Sequence, residues 1–198
     1  MESLNATFVA QILFALLVVS TIGTLMLTGL SKFSSKINSF ISMVGRYFSA
    51  LNVILIAAII IQVVLRYVFG LGLVQLEELQ WHLYAVNVIF GLAFCQAQDS
   101  HIRLDLIHDK MSKRTKERVE IVGIFVLLIP LIYVFFIHSI DFVWEAIRTN
   151  ERSDSPVGLC CRWIPKGMLP IAFILFFLSA SARVAKAFDN LKQIKKGV

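Results

Sequence analysis

Five apolar stretches, each near the length needed to cross a lipid bilayer, constrain this chain more than any other feature. They run from Phe8 to Leu30, Tyr47 to Val64, Leu79 to Gln98, Ile121 to Ile140 and Ile164 to Ala182. A bilayer core is crossed by about 20 predominantly apolar residues in helical form. Lipid offers no partner to a loose backbone group, and these runs lack the alternation of a barrel strand, so each is expected to be a helix. The composition agrees: of 198 residues, 58% are hydrophobic and only 16% are charged, against about 25% charged in an ordinary soluble domain. This excludes a disordered chain and argues against a soluble globular one. The expected fold class is an all-α integral membrane protein.

Charge gives direction to the spans. The net charge of +6 would suggest nucleic acid in a soluble protein. In a membrane protein, Lys and Arg collect in cytoplasmic loops. Lys32, Lys36 and Arg46 lie between the first two stretches. Arg103, Lys110, Lys113, Arg114, Lys116 and Arg118 lie between the third and fourth. Arg183, Lys186, Lys192, Lys195 and Lys196 follow or close the fifth. The alternate loops are mixed in sign. This pattern predicts an external N-terminus and a cytoplasmic C-terminus, with attraction to anionic lipid and no role for nucleic acid. The first stretch lacks a basic region ahead of it and is longer than a typical signal-peptide core, so it is expected to remain as a helix.

Two segments have the pattern of helices lying in the membrane interface. In residues 31–46, Phe33, Ile37, Phe40, Ile41 and Val44 recur at three- and four-residue steps, with Lys32, Ser35, Lys36 and Ser39 on much of the remaining surface. This is an amphipathic anchor pattern. In residues 101–120, Leu104, Ile107 and Met111 share a face ahead of the basic run Lys113–Arg118. Pro130 is expected to kink the fourth helix, and Pro165 and Pro170 to suit the start of the fifth.

The search for chemistry gives little. The sequence shows no phosphate loop, nucleophile motif or metal cluster, and no cofactor is expected. His82 and His138 fall near the same end of the third and fourth helices, so a haem- or quinone-binding membrane anchor is the alternative reading. Asn52, Gln62, Asn87 and Gln96 suit hydrogen bonds between helices. A stand-alone transporter would show intramembrane acids, broken helices or repeats, which this short chain lacks. Of three cysteines, Cys95 lies in an apolar run. Cys160 and Cys161 are adjacent, where a bridge is strained, and all three read as small buried or interfacial thiols. One polar group stands out: Arg66 ends the second span, and Glu77 and Glu78 open the third. The acids favour that helix N-terminus, and Arg66 is within reach of one of them across a short turn.

These residues also carry a family resemblance. RYVFG at Arg66–Gly70, EELQWHLY at Glu77–Tyr84 and FGLAFCQAQDSHIRLDLI at Phe90–Ile107 resemble the small membrane subunit, DctQ-like, of tripartite ATP-independent periplasmic (TRAP) transporters. Arg66-Tyr67, Glu77-Glu78, Gly91 and His101 with Asp105 fit the family pattern. Trp163, Pro165, Lys166 and Pro170 match a subgroup's last loop; Cys160 stands where that loop commonly has proline. The resemblance covers about residues 40–190.

The resemblance implies a four-helix small-permease core at 47–190. Around it lie an extra N-terminal transmembrane helix at 1–30, the amphipathic interfacial segment at 31–46 and a basic cytoplasmic tail at 191–198. It also implies a function. A periplasmic solute-binding protein (DctP-like) delivers an organic acid, a carboxylate or sugar acid, to a large permease subunit (DctM-like) that moves it with sodium ions. The small subunit is then a non-catalytic scaffold in the bacterial inner membrane. The outer corner, Arg66, Tyr67, Glu77, Glu78 and Trp81, is the expected partner-contact region, with Arg162 and Trp163 of the second outer loop beside it.

Overall fold

The computed structural model describes residues 2–100 and 111–196, and the described residues form helices and no strand. Helix α1 is Glu2–Thr28, α2 is Leu30–Val68 and α3 is Val74–Ala97. Helix α4 runs from Lys113 to Arg148, and α5 from Trp163 to Lys196. Helices α1, α2, α4 and α5 are long and apolar enough to cross a membrane. The third expected span, α3, does not reach that hydropathy, because Gln75, Glu77, Glu78, Gln80 and His82 crowd its first turns. Its 24 residues give about 36 Å of helix, and it lies along two helices that do qualify.

Helix α5 is the hub. In its most apolar window 56% of residues are buried, against 17–22% for the other three spans. It touches every other helix. Small side chains make this possible: Ala172, Ser179, Ala180, Ala182, Ala185 and Ala187 are all buried. Lipid tails are as apolar as leucine, so helices in a bilayer associate through close packing and polar contacts, which small residues permit. On one side of α5 lie α2 and α3; on the other lie α4 and α1. Phe14 fixes α1 there, with its ring 5.1 Å from Tyr133, 5.7 Å from Phe136 and 5.3 Å from Phe177.

Helices α2 and α3 run antiparallel in close register. Gln98 donates to Ser42 at 2.7 Å. Gly45 meets Phe94, Phe48 stacks on Phe90 at 3.7 Å, and Gln80 donates to the Ala58 carbonyl at 3.0 Å. Gln62 then donates to Glu77 at 2.9 Å. The connection closes with Gly70 at a φ of 65°, and the Leu71 N–H returns to the Leu65 carbonyl at 2.9 Å. A left-handed residue just past a helix end favours glycine, which has no Cβ to clash.

Two local expectations, a separate helix at 31–46 and Pro170 at the start of α5, meet a different outcome. Residues 31–46 do not form a separate helix. They continue into the second span as one 39-residue helix. Phe33 and Ile41 are buried in the bundle, Ile37 and Val44 pack against its core, and Phe40 is exposed. The amphipathic pattern is thus largely satisfied by protein: Phe33 meets the alanines Ala182 and Ala185 of α5. Likewise Lys113–Arg118 belong to the first turns of α4, started by Ser112, whose hydroxyl accepts from the Thr115 N–H at 3.2 Å. Leu104, Ile107, His101, Asp105, His108, Arg103 and Lys110 lie outside the described residues. Ahead of Pro130, α4 carries a π turn, Ile124–Leu128, in which the Ile129 N–H bonds the Ile124 carbonyl. Proline lacks the N–H that an unbroken α ladder needs, and a wider turn beside it accommodates the missing bond. Pro165 lies in the first turn of α5, whereas Pro170 is inside the helix.

Candidate functional site at the α2–α3 corner

The expected corner exists, but its two acids have different partners. Arg66 ends α2, and its guanidinium is 3.9 Å from Glu77. Both side chains are largely open, and an exposed pair of this kind contributes about 0–1 kcal/mol. Glu77 is held more closely by Gln62 from the preceding turn of α2. Glu78 points instead to the loop between α4 and α5. The Ser153 hydroxyl and the Leu159 N–H, at 2.6 Å, both donate to its carboxylate. These donors hold the Glu78 carboxyl below the usual glutamate range; burial opposes them, and Arg162 adds a smaller attraction.

The loop is built around this latch. The Ser153 N–H bonds the Leu159 carbonyl at 3.2 Å, and the Ser155 N–H bonds the Ser153 hydroxyl at 3.1 Å. Gly158 fits because a Cβ there would stand 2.1 Å from the Ser153 hydroxyl oxygen and 2.9 Å from a Glu78 carboxylate oxygen. A second tie closes the loop's base. Glu151 pairs with Lys166 and lies 3.8 Å from Arg162, and the Lys166 ammonium sits 3.8 Å over the Phe142 ring. A cation over an aromatic face is attracted by the ring quadrupole.

The corner's aromatics are outward. Tyr67 is 81% exposed and Trp81 70% exposed, and Trp163 is exposed as well. Trp81 meets Tyr84 edge-on at 6.5 Å, and the two border a hollow of about 370 Å³ with Leu55, Ile59 and Gln80. The corner therefore divides in two. Glu77, Glu78 and Arg162 are engaged within the chain, whereas Tyr67, Trp81 and Trp163, like Arg66, present their side chains outward.

At the opposite end stands a polar cluster that the sequence reading counted only as basic tail and basic loop. Arg183 of α5, its side chain 11% exposed, donates to Glu117 and Glu120 of α4, each at 3.0 Å, and lies 3.8 Å from Asp99. Asn190, two turns further along, donates to the other Glu117 oxygen at 2.7 Å. The signal available in sequence was the three-residue spacing of Glu117 and Glu120 inside a basic run. It places both acids on one helical face but names no distant partner.

The remaining expected groups are scattered. Gln62 bridges helices, as does Gln80, which the sequence reading passed over. Asn52 is exposed, and Asn87 and Gln96 are half-buried. His82 is half-buried near Glu78 and Arg162, while His138 is 73% exposed, 4.0 Å from Asp141. These unlike settings lend nothing to a shared haem. Among the described residues no group of three or more His, Cys, Asp or Glu side chains could hold a metal ion.

A sequence model of the family described as tripartite ATP-independent periplasmic transporters, DctQ component, matches residues 55–190. No curated protein and no solved structure matches the chain.

Proposed function

The chain belongs to the DctQ family, the small permease component of tripartite ATP-independent periplasmic transporters, and from that premise we propose that it is a non-catalytic scaffold for the large, DctM-like permease subunit. The transported solute, in this reading, is an organic acid, a carboxylate or sugar acid, moved with sodium ions after delivery by a DctP-like binding protein. The family is a transporter component and not a family of enzymes. The chain is a multi-pass membrane protein, and we place its N-terminus in the periplasm and its C-terminus in the cytoplasm.

The observation that carries the scaffold reading is where polarity sits. Apart from the His138–Asp141 and Glu145–Arg148 pairs within α4, the ion pairs of the described bundle cluster at its two ends: Arg66, Glu77, Glu151, Arg162 and Lys166 at one, and Arg183, Glu117, Glu120 and Asp99 at the other. Between them the packed faces are built from Phe90, Ala93, Ile132, Phe136, Ala172 and Phe176. An ion pathway needs polar or charged groups at depth; a support needs rigid packing and a broad apolar face. Such a face is present on α2, where Val53, Ile56, Ile60 and Val64 are exposed. Tyr67, Trp81 and Trp163, with Arg66, are the corner groups open to a binding protein; Glu77, Glu78 and Arg162 shape the corner beneath them.

Purification from native membranes in mild detergent, followed by mass spectrometry, tests the proposal. The expected companion is a larger, many-helix membrane protein in a stoichiometric amount. A chain that is isolated alone and sustains solute flux by itself in liposomes would overturn it.

A further inference from the structure

We infer that Cys160 and Cys161 form a reversible vicinal disulfide, which makes the turn between the latched loop and α5 a site of oxidative modification. Their sulfurs lie 3.1 Å apart. Neighbouring side chains of an extended chain point to opposite faces. Here Cys161 has a φ of 65°, and this left-handed residue brings both thiols to one side. The turn is fixed at each flank. The Leu159 N–H is held by Glu78, the Arg162 N–H bonds the Glu151 carbonyl at 3.2 Å, and the Ile164 N–H bonds the Cys161 carbonyl at 3.0 Å. The pairing is therefore preset by backbone on both sides. Cys160 is exposed, and Cys161 is half-buried.

The oxidant is an external disulfide. The Cys160 thiolate attacks one of its sulfurs, the external S–S bond breaks, and one thiol leaves. Cys161 then displaces the second half from Cys160. The two chain thiols are oxidised to one S–S bond, and the external disulfide is reduced to two thiols that carry away the protons. The order follows from the surroundings. The Cys161 thiol is pushed up chiefly by its contact with Cys160, then by burial and by repulsion from a Cys160 thiolate. Once Cys160 is bonded, the first and last of these vanish, which frees Cys161 to resolve the mixed disulfide. Adjacent Cα atoms are about 3.8 Å apart, below the range of about 4.4–6.8 Å that unstrained disulfides occupy. Strained, exposed bridges are the readily reduced ones, hence the reversibility. The chemistry is local and stands apart from the transport reading; the proposed topology places it on the periplasmic side, where disulfides persist.

The test exposes the reduced, purified full-length chain to oxidised glutathione and maps its peptides. Expected are the loss of maleimide labelling at both positions and a 153–162 peptide lighter by two hydrogens with no glutathione attached. Dithiothreitol should restore both thiols. In Cys161→Ser, Cys160 should instead retain glutathione. Overturning results are a stable glutathione adduct on wild-type Cys160, two thiols still reactive after treatment, or a bridge joining Cys160 of one chain to another.

Discussion

The Glu78 carboxylate joins α3 to a loop some seventy residues further along the chain, and its protonation should govern that joint. Its folded pKa is lowered by donation from Ser153 and Leu159. A carboxyl lowered on folding contributes stability above its ordinary value, about 4.3 for glutamate, and loses it as pH falls through the lower folded value. Protection of the Ser155 and Leu159 amides, corrected for the slower intrinsic exchange in acid, should accordingly fall as pH is lowered while the α5 core stays protected. Glu78→Gln should raise exchange at the same two amides several-fold at neutral pH, because an amide nitrogen cannot accept from both donors; unchanged exchange would deny the latch. Arg66→Glu should leave the fold in place, since its pair with Glu77 is open, yet weaken assembly or uptake. Unchanged uptake at normal expression would remove Arg66 from the partner face. The sequence showed Arg66, Glu77 and Glu78 as a polar group, because charges at span ends are visible against apolar runs. It did not show that the two acids diverge. On a helix, adjacent residues point about 100° apart, and only the position of the distant loop decides which acid meets Arg66.

Helices were legible as apolar runs, and their register against one another was not. Gly45 in α2 reads as an ordinary glycine in an amphipathic stretch, yet a Cβ there would lie 2.2 Å from the Phe94 ring. Gly45→Leu should separate α2 from α3 and destabilise the bundle by about 1–3 kcal/mol, as overpacked sites do. A second change, Phe94→Ala, should recover part of the loss; no recovery in a detergent melt would mean the two helices do not meet there. Arg183 follows the same logic with charge. Arg183→Met should remove the cation that Glu117 and Glu120 share, costing about 3 kcal/mol. Adding Glu117→Gln and Glu120→Gln should restore much of the stability. The boundaries that moved did so for reasons of packing. The 31–46 pattern has the period of a surface helix, but an apolar stripe is equally satisfied by the alanines of α5, and periodicity does not name the neighbour.

At the scale of the molecule, topology follows from how many Lys and Arg residues stand at each end of the spans. At the α4-start end, Arg183 is answered by Glu117 and Glu120, yet it still counts toward the basic excess there, because acids weigh little in this rule. With it stand Lys32, Lys36, Arg46, Lys113, Arg114, Lys116, Arg118, Lys186, Lys192 and Lys195, which the fold gathers at that end by turning α1 into α2 and bringing α4 beside α5. At the corner end the basic residues are fewer: Arg66, Arg148, Arg152, Arg162 and Lys166. Positive residues near span ends are retained on the cytoplasmic side, so the corner should face the periplasm. In a chain with Cys95, Cys160 and Cys161 replaced by serine, a single cysteine at Ser155 should react with an impermeant maleimide in intact cells. One at Lys195 should react only after the membrane is opened. The reverse pattern would invert the topology and turn Tyr67, Trp81 and Trp163 away from any periplasmic partner. The DctQ match begins at residue 55, so it leaves α1 untested, whereas this labelling fixes the direction of the core whichever way α1 runs.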